Sequence, residues 1–288
     1  MITRVRHLAA VCALGTALTA LAACSAPDPV RAPRAVPRSA VASASASPAA
    51  GPPTLAPGPA GLTPVFEHGP RSGDRAVALT FDADMTADQG PRAARGERFD
   101  NPGLIAALRE LRVPATVFMT GRWAEQYPRQ ARSLGRDPLF EIANHSYSHY
   151  AYTEDCYGLP TVDEERMRAD VERAYAAFRA AGVHDAMPYF RFPGGCHDTR
   201  ALKALVPAGV TAVQWDVVSG DAFATDARAV ARDLLDGVRP GSVVVLHCTL
   251  SAAPTTERVV RQVVPELRRE GYRLVKVSEL IGASGGRR

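Results

Sequence analysis

The sequence lacks the features by which several large classes of protein are recognised. No glycine-rich phosphate loop follows its first strand-like run, no internal repeat is apparent, and its basic residues form no block. The formal net charge is only +4 over 288 residues. Its one long apolar run, residues 8–23, is short and wrongly flanked for a membrane span. The sequence therefore argues against nucleotide binding and against a membrane-spanning protein, and we expect no nucleic-acid partner.

The N-terminus has the organisation of an export signal. Basic residues, Arg4 and Arg6, precede the apolar run, which ends in the sequence Leu-Ala-Ala before Cys24. This ending resembles a bacterial lipobox, in which the cysteine becomes the lipidated first residue of the mature protein; an ordinary signal peptide with an incidental cysteine is the alternative. We predict a lipoprotein signal peptide at 1–23, a lipid anchor on Cys24 and a location on the outer face of the cytoplasmic membrane.

The segment after Cys24 is dominated by alanine, proline, serine, glycine and valine as far as about residue 62. Such a composition cannot bury enough apolar surface to offset the entropy lost on ordering, and its prolines keep it extended. We predict a disordered spacer over 24–73. The remaining stretch, 74–284, is long enough for one sizeable core and is predicted to be a single domain.

Cysteine is scarce, with five residues in the whole chain. Cys12 lies in the signal and Cys24 is the predicted lipidation site, so three cysteines belong to the domain: Cys156, Cys196 and Cys248. Outside the cytoplasm an odd number indicates one disulfide and one free thiol. We favour Cys156 with Cys196, although the sequence leaves the other pairings open.

Short apolar runs alternate with helical patterns through the domain. Seven runs have the length and continuous apolar character of strands buried on both faces of a parallel sheet. They are 76–81, 115–119, 139–143, 189–192, 210–215, 242–247 and 273–277. Helix starts are predicted at Asn101-Pro102, at a Thr161/Glu164 capping box, at Thr225 or Asp226, and at Thr255 or Thr256. This alternation predicts a parallel sheet with right-handed crossovers, either open or closed into a barrel.

Two histidines four residues apart, His145 and His149, follow the third of these runs. If that segment turns helical, both side chains lie on one face and are close enough to bind one metal ion. The spacing also occurs on solvated faces and in hydrogen-bonded cores, so the pair alone is weak evidence. A metal site would need a third ligand from elsewhere in the chain.

Other polar residues also follow predicted strands, which is where functional residues cluster in parallel α/β folds. They are Asp82, Asp84, Arg191, Asp216, Asp221 and His247. Each alone could be a turn carboxylate, a surface cation or a helix cap. One carboxylate with two imidazoles, however, is a suitable ligand set for Zn²⁺, Co²⁺, Mn²⁺, Fe²⁺ or Ni²⁺. A second carboxylate can take a proton from water and a histidine can give one to a leaving group, which is the layout of a hydrolase.

Five segments taken in order resemble the motifs of the polysaccharide deacetylases, the NodB-homology domain of carbohydrate esterase family 4. They are TFDAD at 80–84, HSYSH at 145–149, RFPG at 191–194, WDVVSGD at 215–221 and VLH at 245–247. The resemblance covers about residues 76–281. It implies a distorted (β/α)7-type barrel of mostly parallel strands and the metal-dependent removal of acetyl groups from an N-acetylated polysaccharide.

The resemblance also implies which residues bind the metal. His145, His149 and Asp84 would be the ligands of one divalent ion, with Zn²⁺ the first choice. The family usually has two adjacent aspartates in its first motif, whereas Ala83 separates them here. Residues two apart in a strand point the same way, so Asp82 and Asp84 can still share one pocket.

Five further roles follow from the same resemblance. Asp82 would be the general base, and Arg191 would hold it and tune it. His247 would be the general acid that protonates the leaving amine, and Asp221 would orient it. A backbone N–H near Gly194, together with the metal, would stabilise the oxyanion.

The predicted anchor and spacer, combined with the motifs, lead us to expect peptidoglycan N-acetylglucosamine or N-acetylmuramic acid as the substrate of a monomeric enzyme. A chitooligosaccharide deacetylase or an acetylxylan esterase is the alternative enzyme. Gly194 stands where the family commonly has tyrosine and Ala222 where tryptophan is common, and both changes would widen or reshape the groove. A third hypothesis is therefore a wall-binding lipoprotein that has lost turnover.

Overall fold

The computed structural model describes residues 51–285. The predicted signal peptide, the predicted lipid anchor on Cys24 and the predicted spacer up to residue 50 lie outside the described residues. Between residues 51 and 285, no helix combines the length and the apolar character that crossing a membrane requires.

One parallel sheet organises the described part of the chain. Its strands are β1 Val65–Phe66, β2 Ala76–Ala83, β3 Ala115–Met119, β4 Phe140–Asn144, β5 Tyr189–Phe190, β6 Thr211–Val213, β7 Val217–Val218, β8 Val243–His247 and β9 Arg273–Val275. They follow the order β1-β6-β5-β4-β3-β2-β8-β7, and β9 pairs with β2. The sheet forms a half-barrel with helices around it, which confirms the predicted distorted barrel.

The central strand explains why short, continuously apolar runs identified the sheet. All eight residues of β2 are buried, as are all five of β3 and of β4. Strands covered on both faces show no alternation of polar and apolar residues, which is the pattern the sequence has. All seven predicted strands are present, while β1 and β7 were missed because two residues carry no readable period.

Nine α-helices surround the sheet in the described region. They are α1 Gln89–Ala94, α2 Pro102–Glu110, α3 Gly121–Gln126, α4 Pro128–Gly135, α5 Glu164–Ala181, α6 Thr199–Ala204, α7 Ala227–Gly237, α8 Thr256–Arg269 and α9 Val277–Ala283. Two predicted N-caps are confirmed, because the side chains of Asn101 and Asp226 accept hydrogen bonds from the first turns of α2 and α7. The predicted capping box at Thr161 is wrong: its hydroxyl donates to Thr153 O, and α5 begins after Asp163.

The ordered chain begins earlier than predicted. Phe66 is buried and β1 pairs with β6. Further upstream, the Tyr189 hydroxyl donates to Pro53 O at 2.7 Å and the Leu55 N–H donates to Thr211 Oγ1 at 3.4 Å. Residues 51–73 therefore lie against the sheet, and the predicted disordered spacer is wrong for this segment. Its contacts with the sheet supply the stabilisation that its own composition lacks.

Candidate active site

Asp82 and Arg191 form a buried ion pair at the centre of the sheet. Asp82 is the seventh residue of β2, and Arg191 directly follows β5. The guanidinium is fully buried and donates to Asp82 Oδ1 at 2.7 Å and to Thr80 Oγ1 at 2.8 Å. It also donates to two backbone carbonyls at the end of β6 and lies 3.9 Å from the Phe118 ring centroid. With its donors satisfied and its charge paired, this arginine can stay charged in the core and fix the carboxylate.

His247 and Asp221 form the second pair. His247 Nδ1 lies 2.8 Å from Asp221 Oδ1, and the His247 N–H donates to Oδ2 at the same distance. The hydroxyls of Ser219 and Thr256 donate to the same carboxylate, which is fully buried. Burial by itself lowers the pKa of His247, but the hydrogen bond to Asp221 and the nearby carboxylates outweigh it and raise the pKa to about 9. His247 is therefore a proton donor at neutral pH, with Nε2 left for a substrate.

The two pairs are placed side by side by the register of the sheet. Asp82 of β2 and His247 of β8 are partners in neighbouring parallel strands. The Cys248 N–H donates to Asp82 O at 2.8 Å and continues the ladder one residue beyond β8. The separation between the predicted base and the predicted acid is thus set by backbone hydrogen bonds.

The two histidines are brought together by a turn and not by a helix, so the helical interpretation of their spacing is wrong. Ser146 and His149 have φ values of 68° and 57°, which a right-handed helix does not allow. Asn144 Oδ1 accepts from the Ser146 N–H at 2.8 Å, and Ser146 Oγ accepts from the His149 N–H at 2.9 Å. The two ring centroids of His145 and His149 are nevertheless 5.0 Å apart.

Asp170 of α5 holds this turn from outside, a role that the sequence reasoning missed. Its Oδ2 lies 3.1 Å from the Tyr147 nitrogen and 3.2 Å from the Ser148 hydroxyl, both of which donate to it. The Tyr152 hydroxyl donates to the same oxygen at 3.3 Å. The available signal was helical periodicity, because Asp170 lies beside Val171 on the buried side of an otherwise charged helix.

The histidine nitrogens meet the requirements of metal ligands. His145 Nδ1 lies 2.9 Å from Arg191 O, and because a carbonyl only accepts, Nδ1 donates to it and Nε2 is the ring nitrogen that remains for a metal ion. Burial lowers the pKa of His149 to about 4, so this imidazole is neutral at pH 7. The Nε2 atoms of His145 and His149 lie 3.7 Å from Asp82 Oδ2 and Asp84 Oδ2, respectively.

These histidine and aspartate side chains could bind a divalent ion, although they are not arranged as a complete coordination shell. Within residues 51–285 no three potential ligands are grouped as a complete metal site. Ligands on one Zn²⁺ lie about 3.3 Å apart, only slightly less than the 3.7 Å of each His–Asp pair. Asp84 is the freer carboxylate, because Asp82 is paired with Arg191 whereas Asp84 Oδ1 accepts only the Thr249 hydroxyl. These observations favour Asp84 as the third ligand and leave Asp82 as the base.

Asp216 is the one predicted strand-end residue that lies elsewhere. Its Oδ1 accepts from the Val243 N–H at 2.7 Å, and its Oδ2 accepts from the Ser242 hydroxyl. Val243 is the first residue of β8, whereas His247 is the last. Asp216 therefore ties down the opposite end of the sheet.

The predicted disulfide is present between Cys156 and Cys196, and Cys248 is a buried free thiol. The bond joins the loop that follows His149 to the loop that follows Arg191. Both loops border the site, so the disulfide fixes one of its walls.

An aspartate held by arginine, a histidine held by aspartate and two further imidazoles lie together at the carboxyl edge of a parallel half-barrel, an arrangement suited to hydrolysis. A family model described as polysaccharide deacetylase matches residues 69–213, just over half of the chain. The chain therefore belongs to the polysaccharide deacetylases, carbohydrate esterase family 4. Members of this family are hydrolases that use a divalent metal ion, which confirms the predicted enzyme class.

Known proteins similar to this chain have related names. It is 27% identical to a chitooligosaccharide deacetylase of Bradyrhizobium sp. (strain ANU 289) over 224 residues, covering 74% of this chain and 94% of the relative. A peptidoglycan-N-acetylglucosamine deacetylase of Bacillus cereus is 25% identical over 211 residues, covering 72% and 89%. The crystal structure of the Bc1960 peptidoglycan N-acetylglucosamine deacetylase matches in fold, with a TM-score of 0.62, 23% identity and coverage of 78% and 96%.

Proposed function

We propose that this enzyme removes N-acetyl groups from N-acetylglucosamine or N-acetylmuramic acid in peptidoglycan, working at the outer face of the cytoplasmic membrane. The observation that carries the proposed chemistry is the cross-strand register of Asp82 and His247, each of them held by its own buried partner. The proposed substrate and location draw support from the lipobox-like sequence before Cys24 and from the peptidoglycan deacetylase among the similar proteins.

Asp82 is the proposed base. Its Oδ1 is occupied by Arg191 at 2.7 Å, so Oδ2 is the oxygen free to take a proton from the attacking water. The guanidinium stabilises the ionised form of the carboxylate and fixes its orientation. The oxygen of that water then adds to the acetyl carbonyl carbon.

His145, His149 and Asp84 are the proposed holders of a divalent ion, Zn²⁺ being our choice among Zn²⁺, Co²⁺, Mn²⁺, Fe²⁺ and Ni²⁺. When bound, such an ion acidifies water and polarises the carbonyl oxygen. The backbone N–H near Gly194 is the proposed second donor to the oxyanion, a type of contact worth about 3 to 4 kcal/mol in other acyl-transfer sites.

His247 completes the reaction as the acid. Its Nδ1 is committed to Asp221, so Nε2 gives its proton to the amine nitrogen as the C–N bond breaks. The products are acetate and a free amino sugar, and Asp82 and His247 exchange protons with solvent to return to their starting forms.

Acetate release from purified cell wall tests the proposal. The metal-loaded enzyme should release acetate, a chelator should stop the release, and re-addition of Zn²⁺ should restore it. No release from wall or from any other N-acetylated glycan would refute a deacetylase function.

The proposed location has a separate test. The full-length chain should partition with membranes and carry lipid, whereas Cys24→Ala should be soluble or uncleaved. Recovery of the unaltered protein as an unlipidated soluble enzyme would contradict the anchor.

A chitooligosaccharide deacetylase is the second candidate, favoured by the relative whose length the alignment covers almost completely. The same water attack also handles esters, so acetylxylan is a further possible substrate. Rates measured side by side on wall, N-acetylglucosamine oligomers and acetylxylan separate the three. Asp82→Asn tests the non-catalytic wall-binding hypothesis, which requires its biological effect to survive loss of the base.

A further inference from the structure

Within the described residues large apolar side chains are rarely exposed, and two exposed aromatic ones lie on the loops that follow His149 and Asp221. In the described region, four large apolar residues are exposed: Tyr157, Val206, Val218 and Phe223. Tyr157 is 87% exposed and Phe223 is 82% exposed. Single exposed apolar side chains are common on protein surfaces, so the case for a role of these two rests on their location and on their backbone conformation.

Tyr157 lies against the loop that begins at Arg191. It directly follows Cys156, whose disulfide to Cys196 joins the two loops. A Cβ atom placed on Gly194 would be 3.3 Å from Tyr157 Cδ2 and 2.6 Å from Cys156 Sγ. The tyrosine ring and the disulfide therefore occupy the direction in which a side chain at position 194 would project.

Phe223 lies on the other loop that carries a site residue. It is two positions after Asp221, and its N–H donates to Ala252 O at 2.6 Å, on the loop that follows His247. Its neighbour in sequence is the small residue Ala222. Phe223 is thus fixed close to the acid, as Tyr157 is fixed close to the arginine that holds the base.

Both aromatic residues have an unfavourable backbone conformation. The φ of Tyr157 is 50° and that of Phe223 is 58°. Positive φ is uncommon for residues other than glycine, asparagine and aspartate, and it persists where the surroundings impose it, often at ligand-binding sites. Asp155, in the same loop as Tyr157, also has a positive φ, of 56°. Tyr157 and Phe223 combine this backbone conformation with an aromatic ring that is exposed to solvent.

We propose that Tyr157 and Phe223 are stacking platforms for the sugar units on either side of the one being deacetylated. The inference rests on the proposed function, because it takes an N-acetylated glycan chain as the occupant. A pyranose ring presents a face of C–H groups that packs flat on an aromatic ring, and neither platform would be needed for a lone acetylated sugar. The enzyme thus recognises its polymer with aromatic residues that lie next to the small residues Gly194 and Ala222.

Binding to N-acetylglucosamine oligomers tests the platforms without turnover. Calorimetry is done on chelator-treated protein with the monomer and the pentamer, for the parent, Tyr157→Ala, Phe223→Ala and the double variant. We expect the Kd for the pentamer to rise about tenfold in each single variant and the Kd for the monomer to stay unchanged. Val206→Ala is the matched control, because it also removes an exposed apolar side chain but on the segment after α6.

Three outcomes of the binding measurements would overturn the proposal. An unchanged pentamer Kd in both variants, equal losses for monomer and pentamer, or no pentamer binding by the parent would each refute the platforms. Hydrolysis of 4-nitrophenyl acetate by the metal-loaded Val206→Ala variant should match the parent. A loss of that hydrolysis in Tyr157→Ala and Phe223→Ala as large as their loss of pentamer binding would show that the rings support the catalytic centre instead. The proposed function fails by a different observation, namely no acetate release from wall by the metal-loaded parent.

Discussion

Replacing Asp221 by asparagine should move the alkaline limit of activity toward neutral pH. Burial lowers the pKa of His247, but the hydrogen bond and charge of Asp221, with smaller contributions from Asp84 and Asp82, raise it from 6.5 to about 9. The proposed reaction needs this imidazole protonated. Asparagine keeps the size of the side chain but removes its negative charge. Burial, which lowers the pKa of His247, is then opposed only by the more distant carboxylates.

The size of the effect depends on pH in a way that identifies its cause. At pH 8, a group of pKa near 9 is about nine-tenths protonated, whereas one of pKa 6.5 is about 3% protonated, a difference of about 30-fold. At pH 6, both are mostly protonated and differ by less than about 1.5-fold. A shift of this size corresponds to about 3 kcal/mol between the two protonation states.

The assay is kcat/KM against pH on a soluble N-acetylglucosamine oligomer, with the same metal loaded in every variant so that its charge acts equally on His247. The alkaline limb reports the acid in the free enzyme. Thr256→Val is the control, because it removes one hydrogen bond to Asp221 but leaves the charge, and its alkaline limb should stay nearly in place. A uniform rate loss in Asp221→Asn with an unmoved limb would refute the reasoning and leave Asp221 with orientation alone.

Four further substitutions test the rest of the site. Asp82→Asn should lower turnover by about 10² to 10⁴-fold while bound metal, measured by mass spectrometry, is unchanged; near-normal acetate release would exclude Asp82 as the base. Asp84→Ala should abolish stable metal binding, and parent-like metal affinity in this variant would remove Asp84 from the ligand set. Thr249→Val removes only the hydroxyl that orients Asp84 and should weaken metal binding by about tenfold or more. Asp170→Asn places an amide where the turn at His145–His149 needs only a hydrogen-bond acceptor. Metal affinity should therefore fall by about tenfold. A metal titration curve identical to that of the parent would show that the turn keeps its conformation without Asp170.

The parts of the site that could be predicted from sequence are those that sit on strands. Asp82, Arg191 and His247 lie in or directly after runs whose apolar character marks buried strands. Because parallel strands end at one edge, identifying the strands was enough to bring these residues together. Asp216 shows the limit of this reasoning, since it directly precedes β7, which runs parallel to β8, and therefore lies at the first residue of β8 and not at its carboxyl end.

Features that depend on loop geometry could not be predicted in this way. The spacing of His145 and His149 fits a helix, but the chain uses a side-chain-capped turn with positive φ at Ser146. Such a turn leaves no periodic trace in sequence. Asp170 was missed because its partners, two backbone N–H groups and two hydroxyls, lie in a loop 18 to 23 positions earlier in the chain. The order of residues 51–73 likewise depends on contacts with strands more than a hundred positions away, such as the bond from Tyr189 to Pro53.

The cross-strand pairing of Asp82 with His247 separates the chemistry of this enzyme from its choice of substrate. The spacing between the two groups belongs to the ladder between β2 and β8, where a slip of one residue would turn each side chain to the opposite face. The loops carrying Tyr157 and Phe223 contribute nothing to that ladder. Their aromatic residues can therefore change during evolution or engineering while the reacting groups keep their separation and Asp221 keeps its hold on His247. New glycan preferences are thus accessible without rebuilding the catalytic machinery.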